Sequence, residues 1–165
     1  MMMKVALSGS CYWCMEAIYQ SLIGVDLVEQ GFVSSDDDEF SEAIIVHFQP
    51  EVIDLKTLIE IHLHTHKCTV NHSWRDKYKS AVYVFSEAQK IVAEKILEAL
   101  QGDFSETIIT KVLMYKQFKP SEEMFHNYYY NNPEKPFCER YIHPKLKKIL
   151  TDFSEYADSE KLKNV

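Results

Sequence analysis

The sequence lacks any apolar run near the roughly 18 residues that a membrane-spanning helix needs, and Met1 to Leu7 has no signal-peptide core with a cleavage site. It also lacks a surplus of positive charge, since 18 basic against 25 acidic residues leave a net charge of −7. A surface of that sign disfavours non-specific contact with nucleic acid or anionic membranes. Internal repeats and low-complexity tracts are absent. The expectation is a cytoplasmic chain whose partners are proteins or small molecules, with no nucleic acid and no membrane among them. Cysteines are few: Cys11, Cys14, Cys68 and Cys138, of which only the first two are close in sequence. In a short secreted protein they would suggest two disulfides; in a cytoplasmic chain they point to metal binding or catalysis. A chain of 165 residues with 46% hydrophobic content buries roughly two thirds of its unfolded surface, so the fold needs neither metal nor disulfide.

Five β-rich runs stand out, at Lys4 to Leu7, Leu27 to Val33, Glu42 to Phe48, Ala81 to Phe85 and Thr107 to Leu113. Helical periodicity lies between them. Met15, Ile18, Tyr19 and Leu22 share one face before a stop at Gly24. Asp54 caps a second helix that runs to about His64, and Ser86 with Gln89 forms a capping box for a third that ends near Gly102. This order predicts an α+β two-layer sandwich with a ferredoxin-like β-α-β-β-α-β core and an added helix and strand. From Lys116 a long irregular C-terminal segment is expected, closed by a short helix at Pro144 to Ile149. Residues 1–150 read as a single catalytic domain and 151–165 as a polar tail that frays. The acidic run Asp36 to Glu39 reads as a solvated hairpin loop.

The most informative stretch is Ser8-Gly9-Ser10-Cys11-Tyr12-Trp13-Cys14-Met15-Glu16. A strand ends in small residues and a helix begins at or just after Cys11, where unpaired N–H groups and the helix dipole favour a thiolate. Cys14 follows one turn later, so its sulfur can reach the first. Glu16 reads as a first-turn acid. A zinc site would need four ligands, and Cys68 and Cys138 bring no second pair. His62, His64 and His66 alternate, a spacing that sends them to different helix faces.

These residues also carry a resemblance. Cys11-Tyr12-Trp13 followed by Glu16 resembles the Gly-Cys-Phe-Trp-x-x-Glu signature of peptide methionine sulfoxide reductases of the A type, including the subgroup with a second cysteine at the position of Cys14. Gln20-Ser21-Leu22-x-Gly24-Val25, Gly31-Phe32, Glu42-Ala43 before Pro50 and Val52-Ile53, Tyr78-Lys79-Ser80-Ala81, Asn131-Asn132-Pro133, Pro136-Phe137-Cys138 and Pro144-Lys145-Leu146 resemble further family stretches, in order, over about residues 4 to 149. There are departures. Ser10 stands for a glycine and Tyr12 for a phenylalanine. The stretch between Gly31 and Glu42 is short and lacks the family's tyrosine. Residues 69–78 shorten a Gly-Asn-Asp loop, leaving Asp76 as the candidate for its aspartate, and His126 is out of step by one.

The resemblance implies reduction of methionine S-sulfoxide, free or in proteins, through sulfenic acid and disulfide intermediates. Cys11 is then the nucleophile, Glu42 the acid for the sulfoxide oxygen, held in a partly apolar pocket at raised pKa, and Tyr78 a second donor to that oxygen. Tyr12 and Trp13 wall a cage for the S-methyl group. Cys14 is the favoured resolving thiol, with Cys138 as its rival and Cys68 behind both. No cofactor is bound, and thioredoxin or another dithiol acts as external reductant. Two other readings stay open: a thiol-disulfide oxidoreductase using Cys11 and Cys14, and a non-enzymatic binding module whose Tyr128 to Tyr130 docks a partner.

Overall fold

A computed structural model describes residues 2–35, 39–75 and 77–165. The acidic residues Asp36 to Asp38 and the candidate Asp76 lie outside the described residues. Alternating apolar side chains form β1 (Met3–Ser8), β2 (Val25–Ser34), β3 (Ser41–Phe48) and β4 (Ala81–Val84), with α1 (Tyr12–Gln20) and α2 (Leu55–His64) as crossovers. Then come α3 (Glu87–Leu100), β5 (Lys111–Met114), β6 (Gln117–Pro120), α4 (Tyr128–Asn131), a π-helical turn over Cys138–Ile142 and α5 (His143–Asp152). The sheet order is β5-β4-β1-β3-β2-β6. β1 runs antiparallel to both β3 and β4, β2 antiparallel to β3 and β6, and β5 joins β4 in parallel. The four inner strands therefore have the order of the expected split β-α-β core.

The caps read from the sequence are made. Asp54 accepts the Thr57 N–H at 2.8 Å, and Ser86 Oγ accepts the Gln89 N–H at 3.1 Å while Gln89 Oε1 reaches back to the Phe85 N–H at 2.9 Å. Period-2 alternation splits each central strand between two faces. Val5, Leu7, Ile44 and Val46 join Ile18, Leu58 and Ile61 in the main core, whereas Ala6, Ala43, Ile45 and Tyr83 form a smaller cluster.

Three expectations need correction. The fifth strand starts at Lys111 rather than Thr107, because the Ile109 N–H is already bonded to the Cys68 carbonyl at 2.8 Å. The segment after Lys116 is less irregular than expected, since β6 pairs with β2; its polar, Pro-ended sequence hid it, a composition allowed on an edge strand. The tail does not fray. Asp158 N–H donates to the Ser21 carbonyl and Ile23 N–H to the Tyr156 carbonyl, both at 2.8 Å, and Leu162 is 2% exposed in the main core. A few apolar side chains spaced among polar ones are enough to anchor it. No helix among the described residues is long and apolar enough to cross a membrane.

Candidate active site

The site grows from the end of β1. Gly9 takes φ +149°, and a Cβ there would lie 2.6 Å from the His66 ring, so the turn requires glycine. Beneath it, His62 Nε2–H donates to the Ser8 carbonyl at 2.7 Å, and the His66 Nδ1–H donates to the His62 carbonyl. His66 Nε2 is then left to accept from Ser80 Oγ at 2.8 Å. Burial holds both imidazoles neutral: His62 is lowered to about 4 and His66 lies well below the ordinary histidine value.

Cys11 is the N-cap of α1, and its carbonyl accepts the N–H groups of Cys14 and Met15 at 3.1 and 3.2 Å. Its sulfur is half-buried and bonded to the thiol of buried Cys14. The two thiols therefore titrate as a coupled pair. Cys11 is raised above the ordinary thiol range by the hydrogen bond to Cys14, by burial and by the Cys14 charge, although the Trp13 N–H acts the other way. Cys14 is lowered, first by the bond from Cys11, with Lys145 adding to the effect. The helix N-terminus alone thus does not set the order of ionisation: within the coupled pair Cys14 is the more acidic thiol and Cys11 the less acidic one.

Glu42 on β3 comes within reach of this pair, 5% exposed. Its Oε1 accepts the Tyr12 N–H at 3.1 Å, and its Oε2 lies 3.3 Å from the Lys77 ammonium. Tyr78 stands beside them. Burial and the Glu42 charge raise its hydroxyl above the usual tyrosine value, so it remains a proton donor. Lys77 is raised in turn by its bond to Tyr78 and by the Glu42 charge. Opposite Glu42 across the β2–β3 ladder stands Phe32, whose ring meets Tyr12 edge-on at 5.6 Å between centroids.

Trp13 stacks on Tyr128 with centroids 3.9 Å apart and planes 5° apart, and its neighbours are Phe125 and Phe137. Its indole N–H is buried with no hydrogen-bond partner among the described residues. Glu16 is not a first-turn acid. It is buried at the fifth position of α1 and accepts the Asn127 and Tyr128 N–H groups at 2.9 and 3.1 Å, which holds the C-terminal segment, and with it Tyr128, against Trp13.

The remaining cysteines are buried. Cys138 lies close enough to Cys14 to be raised by burial and by the Cys14 charge, whereas Cys68 responds to burial and Arg75. A cleft of about 800 Å3 opens beside Cys11 and Cys14, with Tyr78, Phe137, Tyr141 and Lys145 in its walls. Among the described residues, Glu60, His64 and Asp103 could together hold a metal ion, their ligand atoms within 4.8 Å of one another. His64 and Asp103 already bond to each other at 3.1 Å.

Two residues of this site were missed by the sequence reading. Lys77 is one. The other is Arg75, whose guanidinium donates to the Gly9 carbonyl at 3.0 Å, to Tyr78 at 2.8 Å, to Val70 at 2.9 Å and to Lys67. One side chain thereby ties the loop after α2 to the turn that presents Cys11. A lone basic residue in a polar loop gives no periodic signal; only proximity to Tyr78 marked it.

With that geometry in place, residues 3–157 match the family model described as peptide methionine sulfoxide reductase. The chain belongs to that family. Among these reductases, the peptide methionine sulfoxide reductase MsrA of Trichodesmium erythraeum (strain IMS101) is 32% identical over 177 residues, covering 96% of this chain and 100% of the relative. Reduced Mxr1 from Saccharomyces cerevisiae superposes with a TM-score of 0.73 at 23% identity, over 83% of this chain and 89% of Mxr1. Mxr1 in complex with Trx2 gives 0.63 at 23% identity, over 74% and 82%. These solved structures share the fold of this chain.

Proposed function

We propose that this A-type reductase converts methionine S-sulfoxide to methionine with Cys11 as nucleophile, Glu42 and Tyr78 at the sulfoxide oxygen and Cys14 as resolving thiol. The observation that carries this is the Tyr12 N–H bond to Glu42 at 3.1 Å, which puts a buried carboxyl group one residue from the nucleophile. Cys11 sulfur attacks the sulfoxide sulfur. Its proton or an equivalent one goes to the oxygen, which passes as OH from the substrate sulfur to the Cys11 sulfur as the S–O bond of the substrate and the transient bond between the two sulfurs break, so that Cys11 becomes a sulfenic acid and methionine leaves as the thioether. The sulfoxide gains two electrons and Cys11 loses two. Cys14 then condenses with the sulfenic acid, forming a disulfide and releasing water.

An external dithiol restores both thiols. The yeast relative is seen with Trx2, and a thioredoxin is the partner proposed for this chain. Its thiolate attacks half-exposed Cys11 rather than buried Cys14, and Cys14 leaves as the sulfur already held at lowered pKa. Tyr12 and Trp13 supply the aromatic wall on which the S-methyl group rests, with sulfur–ring contacts of about 0.3–1.5 kcal/mol. A thiol-disulfide oxidoreductase would leave Glu42, Lys77 and Tyr78 without a task.

The test is single-turnover release of methionine from a methionine S-sulfoxide peptide. The reduced protein should release one equivalent, and Cys11→Ser less than about a few per cent of that, because a serine hydroxyl is un-ionised near neutral pH and a poor nucleophile towards sulfur. Substantial release by Cys11→Ser, or equal rates on the R and S epimers, would overturn the assignment.

A further inference from the structure

The C-terminal helical segment presents two neighbouring faces. Cys138, Ile142, Leu146 and Ile149, spaced by four, four and three, are fully buried in the main core. The residues one position earlier, Phe137, Tyr141, Lys145 and Lys148, keep the same spacing and line the cleft beside Cys11 and Cys14. Burial of the first face therefore fixes where the second one points.

The stretch after α2 supplies more of the wall through Lys67, Val70 and Trp74. Trp74 is held by its backbone: its carbonyl accepts the Lys77 and Tyr78 N–H groups at 3.1 and 2.9 Å, yet the residue is 65% exposed. Tyr141 is 48% exposed, with the Phe137 ring 5.0 Å away and the Arg140 guanidinium 5.3 Å from its own ring centre. Two exposed aromatic residues that line one cleft are the kind of surface that anchors a partner.

The charge of the cleft runs against that of the molecule. The chain carries 25 acidic residues against 18 basic ones, but among the described residues none that lines the cleft is acidic, whereas Lys67, Lys145 and Lys148 are basic. Lys148 also meets Asp152 at 3.3 Å, an exposed i,i+4 pair that a ligand carboxylate can replace at little cost. At physiological salt, charges more than about 8 Å away are largely screened. A ligand in the cleft therefore meets the three ammonium groups rather than the net charge of −7. The volume of about 800 Å3 exceeds what one methionine side chain needs and suits a short peptide segment.

We propose, building on the reductase reading above, that this cleft holds the peptide chain flanking a methionine S-sulfoxide and selects acidic segments. Aspartate or glutamate near the oxidised methionine pairs with Lys67, Lys145 and Lys148, while the chain packs on Trp74 and Tyr141.

Single-turnover methionine release at rising peptide concentration, without thioredoxin and at about pH 8, separates binding from chemistry. The probes are two methionine S-sulfoxide peptides, one flanked by glutamate and one by lysine. At low ionic strength the wild type should half-saturate at a concentration at least about tenfold lower with the glutamate peptide, and high salt should shrink that ratio to about twofold. K67Q/K148Q should lose most of the preference and K67E/K148E should reverse it. Lys145 is left in place because its charge also acts on Cys14. The readout is a ratio between two peptides on one protein, so a general loss of activity cancels. Trp74→Ala keeps the backbone bonds at that residue and should raise the half-saturating concentration of both peptides several-fold with their ratio unchanged. A wild type without preference, a preference that the lysine variants do not move, or a Trp74→Ala protein that saturates like wild type would overturn the proposal. So would K67E/K148E losing only thioredoxin-driven turnover, which would assign the cleft to the reductant. A wild type that releases no methionine from either peptide would overturn the reductase reading, and this proposal with it.

Discussion

The two halves of the site are built differently. The thiol half, Cys11 and Cys14, sits on the junction of β1 and α1. β1 is paired on both edges and buried on both faces, and the turn rests on neutral His62 and His66. The oxygen half joins Glu42, from β3, to Lys77 and Tyr78, from a loop between α2 and β4 that has no helix or strand of its own among the described residues. That loop is held by individual polar side chains: Arg75 on four carbonyls, Ser41 on the Lys77 carbonyl, and Ser8 on the Lys79 carbonyl. Regular structure fixes the proposed nucleophile. Side-chain-to-backbone bonds fix the loop that carries Tyr78, a proposed partner of the sulfoxide oxygen, so a shortened loop can be accommodated there without disturbing the sheet.

Substitutions should expose this contrast. Removing the carboxyl group from the oxygen half has the largest expected effect. Glu42→Gln should slow sulfenic acid formation by about 10²–10⁴, the range for a lost acid–base group, while leaving the thermal unfolding of the protein nearly unchanged. Rapid-quench kinetics isolates that step, and an unchanged rate would place the oxygen site elsewhere. The next effect belongs to the thiol half and acts through stability. Burial lowers His62 from 6.5 to about 4, so in the unfolded chain it takes up a proton below about pH 6.5 that it does not take up in the fold. Stability is fully present above that pH and is lost as pH falls towards 4, by on the order of 3 kcal/mol from this group. His66 adds in the same direction. Urea unfolding at pH 7.5 and pH 5 checks it; an equal midpoint at both would show that the imidazoles are not held neutral.

The smallest of the three effects comes from the loop's own support. Arg75→Ala removes donors from four carbonyls and should cost about 1.5–3 kcal/mol of stability, with a roughly tenfold slower sulfoxide step as Tyr78 and Gly9 lose their shared tether. Arg75→Lys should rescue little, since an ammonium cannot fork to several acceptors as a guanidinium does. A variant that unfolds earlier yet reduces at the wild-type rate would show that the loop's order is structural only.

The same contrast explains what the sequence revealed. The strand-to-helix step at Ser8–Tyr12 was legible because small residues, a Cys-x-x-Cys spacing and helical periodicity coincide within nine residues. β1 to β4 and the caps at Asp54 and Ser86 were legible for a similar reason: local pattern and tertiary role agree. Lys77 and Arg75 were hidden because their partners are backbone carbonyls and a residue 35 positions away in Glu42, and no periodicity encodes such bonds. Glu16 was misplaced because its role depends on Asn127, which adopts a left-handed conformation at φ 56° and turns its N–H towards the carboxylate. The standing thiolate expected at Cys11 was displaced by a property of the pair: whichever sulfur accepts the shared hydrogen bond is the one that ionises first.

Cys11 and Cys14 are proposed to act as one redox unit, with Cys138 as a buried neighbour. Treating the reduced protein with one equivalent of methionine S-sulfoxide and mapping its disulfide by peptide mass spectrometry tests this most directly. A Cys11–Cys14 disulfide is expected, and Cys14→Ser should release one equivalent of methionine without thioredoxin-driven turnover. A Cys11–Cys138 disulfide, or a sulfenic acid that persists on Cys11 in the wild type, would contradict it.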